Sequence, residues 1–244
     1  MKNSIEIEQV CGPSIAIVVP AHNEESTVRG VIKQIRTVCD HPIFLVDDAS
    51  CDGTREAARE AGASVLRLSD RLGAWGATQT GLRYAFCQGY EFVVSLDADG
   101  QHNPASLTAL LDPVLKGEVD VVIGSCPERA SALRRIAWIM LRLCSGLTLN
   151  DITSGYRAYN KKALKVLSGW QASLLEYQDI GVILLLQSRG MTLLAVHTEM
   201  QERVSGPSRI FSSWSRVAYY MLGMLLLGAS KRPMRRHQTP TKVI

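Results

Sequence analysis

Three apolar runs of strand length, each breaking off into carboxylates or amides, constrain this chain more than any other feature. Ser14-Ile-Ala-Ile-Val-Val-Pro20 leads into Ala21-His-Asn-Glu-Glu25, Ile43-Phe-Leu-Val46 stops at Asp47-Asp48, and Phe92-Val-Val-Ser-Leu96 ends in Asp97-Ala-Asp99. A run that is apolar on both faces belongs inside a parallel sheet covered on both sides. Helical patterns lie between these runs: Val28, Val31, Ile32 and Ile35 behind a cap at Asn23 or Ser26, then Gly53–Ala61, Ala74–Gln88 and a helix after Pro104. Ser64–Leu68, Val119–Ile123 and Met191–Val196 read as further strands. The alternation predicts an α/β fold with a mostly parallel central sheet and helices on both faces. Ligands of such sheets bind at the carboxyl ends of the strands, so the three polar strand ends are expected to converge on one site.

The second half is different in character. Ala132–Leu147 is an apolar helical pattern carrying Arg134, Arg135 and Arg142. Asp151-Ile-Thr-Ser-Gly-Tyr-Arg-Ala-Tyr159 reads as a loop running into a strand, and Ile180–Gln187 as a helix. The loop Gln201–Arg209 precedes a last helix, Ser213–Ala229, and a basic stretch with Lys231, Arg232, Arg235 and Arg236. The expected organisation is an arm over 1–13, one catalytic domain over 14–210, an interface helix over 211–230 and a basic flexible tail over 231–244.

Several function classes fall away. No apolar stretch approaches the roughly 20 residues needed to cross a bilayer, and Glu6 and Glu8 interrupt any signal-peptide core. The net charge of +4 is too mild to imply a nucleic-acid partner. Cys11, Cys39, Cys51, Cys87, Cys126 and Cys144 include no CxxC pair, so reduced thiols are expected rather than a zinc knuckle or a disulfide scaffold. Gly73, Gly76 and Gly81 fit neither GxGxxG nor a P-loop, there is no GxSxG elbow, and His22, His102 and His197 lack the spacing of a zinc site.

Two carboxylates one residue apart just past a strand end, Asp97 and Asp99, suit a hard divalent ion that completes its shell with water and phosphate oxygens. Gln101 stands where it would add another oxygen. An isolated DxD is more often turn and cap chemistry, but three strand ends of the same polarity favour a site. Asp47-Asp48 with Ser50, Asp52, Gly53 and Thr54 forms a second polar turn, in which an Asp suits a nucleobase N–H or a ribose hydroxyl, and Asp52 and Thr54 suit capping.

Four ordered segments carry a family resemblance: Ile17-Val-Val-Pro-Ala-His-Asn-Glu24, Val46-Asp-Asp-Ala-Ser-Cys-Asp-Gly-Thr54, Leu96-Asp-Ala-Asp-Gly-Gln-His-Asn-Pro104 and Asp151-Ile-Thr-Ser-Gly-Tyr-Arg157. Over about residues 14–210 the chain resembles the inverting family 2 glycosyltransferases of GT-A fold, most of all the dolichol- or polyprenyl-phosphate mannosyl- and glucosyltransferases. The resemblance implies transfer of a hexose from a GDP- or UDP-sugar to a polyprenyl-phosphate, with Mg²⁺ or Mn²⁺. It implies that Pro20, His22, Asn23 and Glu24 line the nucleotide pocket, and that Val46, Asp47 and Asp48 hold base and ribose. Asp97, Ala98 and Asp99 would form the metal and diphosphate site, with Gln101 as a further metal ligand. Arg203 and Arg209 match the late basic loop that closes over the donor phosphates, while Arg134, Arg135 and Arg157 fall to the acceptor phosphate. The chain departs from the pattern at Gly73-Ala-Trp-Gly76, where a basic residue is common, and at Arg209, where lysine is more usual.

A lipid phosphate is ionised at neutral pH and needs no strong general base, whereas a sugar hydroxyl needs one. Asp151 and then Glu176 are the carboxylates available for that rival acceptor. A non-catalytic relative that only binds nucleotide sugars is the other alternative. From Arg203 onward the chain holds eight Lys/Arg and no Asp/Glu. With Ala132–Leu147 and Ser213–Ala229 as interfacial helices, this predicts a peripheral protein at the cytoplasmic face of a membrane. It would act alone, with a membrane-anchoring subunit or as a homo-oligomer.

Overall fold

The computed structural model describes residues 14–126, 154–175, 180–201 and 242–243. Its elements follow the alternation read from the sequence: β1 (Ile15–Ala21), α1 (Glu25–Arg36), β2 (Ile43–Asp47), α2 (Thr54–Glu60), β3 (Ser64–Arg67), α3 (Gly73–Cys87) and β4 (Phe92–Ser95). A 3₁₀ turn at Pro104–Ser106 leads into α4 (Leu107–Leu115) and β5 (Val121–Ser125). Then come β6 (Arg157–Asn160), α5 (Lys161–Leu167), α6 (Trp170–Ser173), α7 (Ile180–Ser188), β7 (Leu193–His197) and β8 (Lys242–Val243).

The strands form one sheet in the order β3-β2-β1-β4-β6-β5-β7-β8. All neighbours are parallel except β6, which runs antiparallel to both β4 and β5. β1 sits in the interior with Ile17, Val18 and Val19 fully buried. Each such side chain stabilises the fold by about 1.5–3 kcal/mol.

Helices cover both faces. On one, Val28, Val31, Ile32 and Ile35 of α1 pack with α2 and α4 on Ile17, Val19 and Leu45. On the other, Trp75 and Leu82 of α3 pack with α5, α6 and α7 on Val18, Val46 and Val93. Helix α3 lies so close to β1 that a Cβ at Gly81 would sit 2.4 Å from Cγ1 of Val18, which only glycine avoids.

Some expectations shift. Helix α1 is preceded by Glu24 rather than capped by Asn23 or Ser26. Asn23 is diverted because its side-chain oxygen accepts the Cys51 N–H across the loop at 2.9 Å. Trp75 is core, donating Nε1–H to the Ala172 carbonyl at 2.8 Å. Lys242–Val243, within the stretch expected to be a flexible tail, pairs with Leu194 and Ala195 of β7. The expected helices Ala132–Leu147 and Ser213–Ala229 lie outside the described residues.

Candidate functional site

The carboxyl ends of β1, β2 and β4 meet at one edge of the sheet, as their register requires: Ala21 stands opposite Asp47, and Val18 opposite Ser95. The first two ends are laced together. Asn23 N–H donates to Ser50 Oγ at 3.0 Å, Glu24 N–H to Thr54 Oγ1 at 2.8 Å and Gly53 N–H to Glu25 Oε2 at 3.1 Å. Asn23 and Ala49 both take φ of 55°, a left-handed backbone that these bonds hold in place. His22 places Nδ1 2.7 Å from the Asp48 carbonyl, and since a carbonyl only accepts, Nδ1 carries the proton.

The Asp pair of β2 turns inward. Asp47 has no exposed surface, and its Oδ1 accepts the Ser50 N–H at 3.1 Å. Asp48 is buried and accepts from two backbone amides, Leu72 N–H at 2.6 Å and Gly73 N–H at 2.9 Å. The carboxylate thereby holds the entry to α3, where a negative charge also suits the helix dipole. Val46 is fully buried under α3 and leaves only its backbone to a ligand. The wall expected to grip base and ribose is therefore shaped by Asp48 through the Leu72–Gly73 turn, while Pro20, His22 and Glu24 are partly exposed and Asn23 is exposed.

At the end of β4, Asp97 and Asp99 are partly open while Ala98 is buried between them. Asp97 is clamped from two sides. His102, itself buried, brings Nε2 to 3.1 Å from Oδ2 and lays its ring 5.0 Å from that of Tyr156. On the other side is Gly155, where a Cβ would fall 2.5 Å from Asp97 Oδ1. Asp99 Oδ1 accepts the Gln101 N–H at 3.1 Å, and the Gln101 carbonyl accepts the Gln201 N–H at 2.8 Å. His102 and Met200 form an antiparallel bridge, so the loop after β4 is tied to the chain beyond β7. Tyr156 donates its hydroxyl to the Asn103 carbonyl at 3.3 Å, and burial pushes its phenol well above the ordinary value.

The two carboxylates supply oxygen donors, the chemistry of Mg²⁺ and Mn²⁺. Among the described residues no group of three or more His, Cys, Asp or Glu could hold a metal by itself. The set fits a hard cation whose shell is completed by diphosphate and water. The space left by the missing Cβ of Gly155 is filled by the Asp97 carboxylate.

Arg157 is fully buried on β6, and its Nε donates to the Ser154 carbonyl at 2.9 Å. Arg134, Arg135, Arg203, Arg209, Asp151 and Glu176 lie outside the described residues. His102, Gly155 and Tyr156 escaped the sequence reading as site residues. The signal for His102 was its distance of five residues from Asp97 across a Gly-containing turn.

The chain is similar to proteins of a known family and fold. Residues 16–170 match the model of the family described as Glycosyl transferase family 2. An undecaprenyl-phosphate mannosyltransferase from Micrococcus luteus is 32% identical over 169 residues, covering 63% of this chain and 69% of the relative. A polyprenol monophosphomannose synthase from Mycolicibacterium smegmatis is 29% identical over 222 residues, 84% of this chain and 83% of the relative. Among solved structures, glucosyl-3-phosphoglycerate synthase from Mycobacterium tuberculosis, bound to phosphoglyceric acid, superposes with a TM-score of 0.68 at 22% identity, covering 96% of this chain and 89% of that one. A second structure of that synthase holds Mn²⁺, UDP and glucosyl-3-phosphoglycerate, with a TM-score of 0.66 at 21% identity and coverage of 96% and 89%.

Proposed function

The chain belongs to glycosyl transferase family 2, and from that premise we propose that it transfers a hexose, mannose or glucose, with inversion from a GDP- or UDP-sugar to a polyprenyl- or dolichyl-phosphate at a membrane surface. The observation that carries the reading is the Asp97-Ala98-Asp99 turn, with Asp97 fixed between His102 and Gly155. The names of the relatives, which act on undecaprenyl-phosphate and make polyprenol monophosphomannose, support the lipid acceptor.

In this mechanism Pro20, His22, Asn23 and Glu24 border the nucleotide, and Asp48 holds the Leu72–Gly73 turn against it. Asp97, Asp99 and Gln101 would hold Mg²⁺ or Mn²⁺, which when bound would neutralise charge on the departing diphosphate. Arg203 and Arg209 meet the donor phosphates, and Arg134 and Arg135 meet the acceptor phosphate. An oxygen of the ionised acceptor phosphate attacks the anomeric carbon as the bond to the nucleoside diphosphate breaks, and no proton has to be removed first. Among the described residues no helix is long and apolar enough to cross a membrane. On this reading the lipid acceptor is met at the bilayer surface.

The test is a panel of GDP- and UDP-hexoses with polyprenyl-phosphate and Mn²⁺, in parallel with soluble saccharide acceptors. The reading expects lipid-linked hexose and its loss in Asp99→Ala. Transfer to saccharides alone would replace it with a hydroxyl acceptor, and turnover unaffected by Asp99→Ala would remove the metal site.

A further inference from the structure

The two helical layers of the sheet carry different charge. On the α1, α2 and α4 side acids and bases alternate and pair, as in Arg59 with Glu56 at 3.6 Å and Lys116 with Asp112 at 3.3 Å. Helices α3, α5, α6 and α7 contain no Asp or Glu at all. Their exposed cations are Arg83, Lys161, Lys162 and Lys165. Lys161 meets Glu91 at 2.9 Å, while Lys162 and Lys165 form no ion pair among the described residues.

The same layer leaves large apolar side chains in solvent. Trp170 is 69% exposed and Leu174 74%, at the start and the C-cap of α6. Four residues apart on a helix, they share one face. The opposite face is anchored: Ala172 is buried and its carbonyl accepts from Trp75. Arg83 lies across α6, donating from Nε to the Ser168 carbonyl at 3.1 Å and from Nη2 to Ser173 Oγ at 3.0 Å. A cation is thereby fixed beside the two apolar groups. Leu72, 56% exposed, stands at the entry to α3 on the Asp48-held turn.

We propose that α6, leading with Trp170 and Leu174 and flanked by Arg83, Lys162 and Lys165, is the surface that docks this protein onto an anionic bilayer; this rests on the reading of the acceptor as a membrane lipid. Three exposed apolar side chains fall far short of the roughly 800 Å² per partner that a stable protein interface buries. A bilayer asks for less: an aromatic ring at the headgroup level, an aliphatic side chain below it, and lysines that reach the phosphates along apolar stems. The described helices of this layer carry no carboxylate of their own to repel anionic lipid. The Trp75–Ala172 bond joins α6 to the first turn of α3, so docking also sets how far the strand ends stand from the lipid surface.

Sedimentation of the full chain with vesicles of phosphatidylcholine, or of phosphatidylcholine mixed with phosphatidylglycerol, tests this. Trp170→Ser with Leu174→Ser, and separately Lys162→Glu with Lys165→Glu, are compared with Val38→Ser, an exposed apolar residue just past α1. The wild type and Val38→Ser should bind the mixed vesicles, and each double variant should bind at least about tenfold more weakly, with the melting temperature unchanged in the Trp170/Leu174 variant. Double variants that bind like the wild type, or a wild type that does not bind, overturn the proposal. So does a dimer in solution that the Trp170/Leu174 double variant dissociates, because the patch would then face a second copy. Transfer to a short-chain polyprenyl-phosphate in detergent is measured alongside. Its retention in the double variants confines their defect to docking. If the wild type lacks it, the acceptor reading fails, and with it the lipid role of α6, whereas loss of vesicle binding alone leaves the acceptor reading standing.

Discussion

Replacing Gly155 by alanine should separate activity from stability. The added Cβ would lie 2.5 Å from Oδ1, 2.8 Å from Oδ2 and 2.9 Å from Cγ of Asp97. Non-bonded carbon atoms rest at about 3.5–4.0 Å, so the carboxylate must retreat by on the order of 1 Å. The backbone does not resist, because Gly155 is not among the residues with positive φ. The Asp97 side chain is 44% exposed and has room to move, so the melting temperature should correspond to a stability change within about 0.5 kcal/mol. The cost falls on function. Retreat breaks the 3.1 Å contact with His102 and carries Asp97 away from the position it shares with Asp99. Misplacing a reacting group by about 1 Å costs on the order of 10²-fold in rate, or about 2.7 kcal/mol on the barrier. Hexose transfer at saturating donor should fall by about that factor, and Mn²⁺ binding in the presence of nucleoside diphosphate, read by electron paramagnetic resonance, should weaken with it. A Gly155→Ala enzyme with full rate and unchanged Mn²⁺ binding would refute the assignment of Asp97 and its cradle.

His102→Phe keeps a ring against Tyr156 but removes the nitrogen facing Asp97; Mn²⁺ affinity should drop about 10–100-fold, with part restored in His102→Gln, and equal affinities would dismiss the clamp. Asp48→Ala frees the amides of Leu72 and Gly73, so nucleotide affinity measured by calorimetry should fall about tenfold or more, and an unchanged value would count against that turn as part of the pocket. At the far end of the sheet, Asp120 accepts from the Thr192 N–H and Oγ1 and from Asn160 Nδ2, joining β5 to its neighbours; Asp120→Ala should destabilise by about 2–3 kcal/mol in urea unfolding. Burial opposes the Asp120 charge, but these bonds and nearby Lys162 outweigh it and hold the carboxyl below its ordinary 3.8. Its contribution should therefore be complete above that pH and lost as acid titrates the folded form, and an Asp120→Asn protein with the same acid limb as the wild type would contradict this.

The parallel strands were legible because a strand covered on both faces must be apolar at consecutive positions, as Ile15–Val19 is. Strand direction is not encoded that way, and nothing in Arg157-Ala-Tyr-Asn160 announced that β6 would run against its neighbours. Helices α5 and α6 are too short to show a period, being seven and four residues long. At the site, the meeting of strand ends followed from topology, but the duty of each carboxylate did not. An Asp in a turn serves equally as ligand or as internal acceptor, and Asp47 and Asp48 both proved to be acceptors. The link from His102 to Asp97 depends on how the chain reverses after β4, which composition does not reveal.

The placement of β6 between β4 and β5 has a consequence for synthesis. By residue 95 the ribosome has made β1 to β4, a contiguous parallel unit that includes the strand ends from Pro20 to Asp48. Strand β5 is complete at Ser125, yet both its partners come later, β6 from Arg157 and β7 from Leu193. At about 5–20 residues per second, the nascent Val121-Val-Ile-Gly-Ser125 segment waits on the order of seconds for its first neighbour. A product that terminates within 126–156 would carry a finished β1–β4 unit and an apolar strand with no place in the sheet, a ready seed for aggregation and a natural mark for proteolysis.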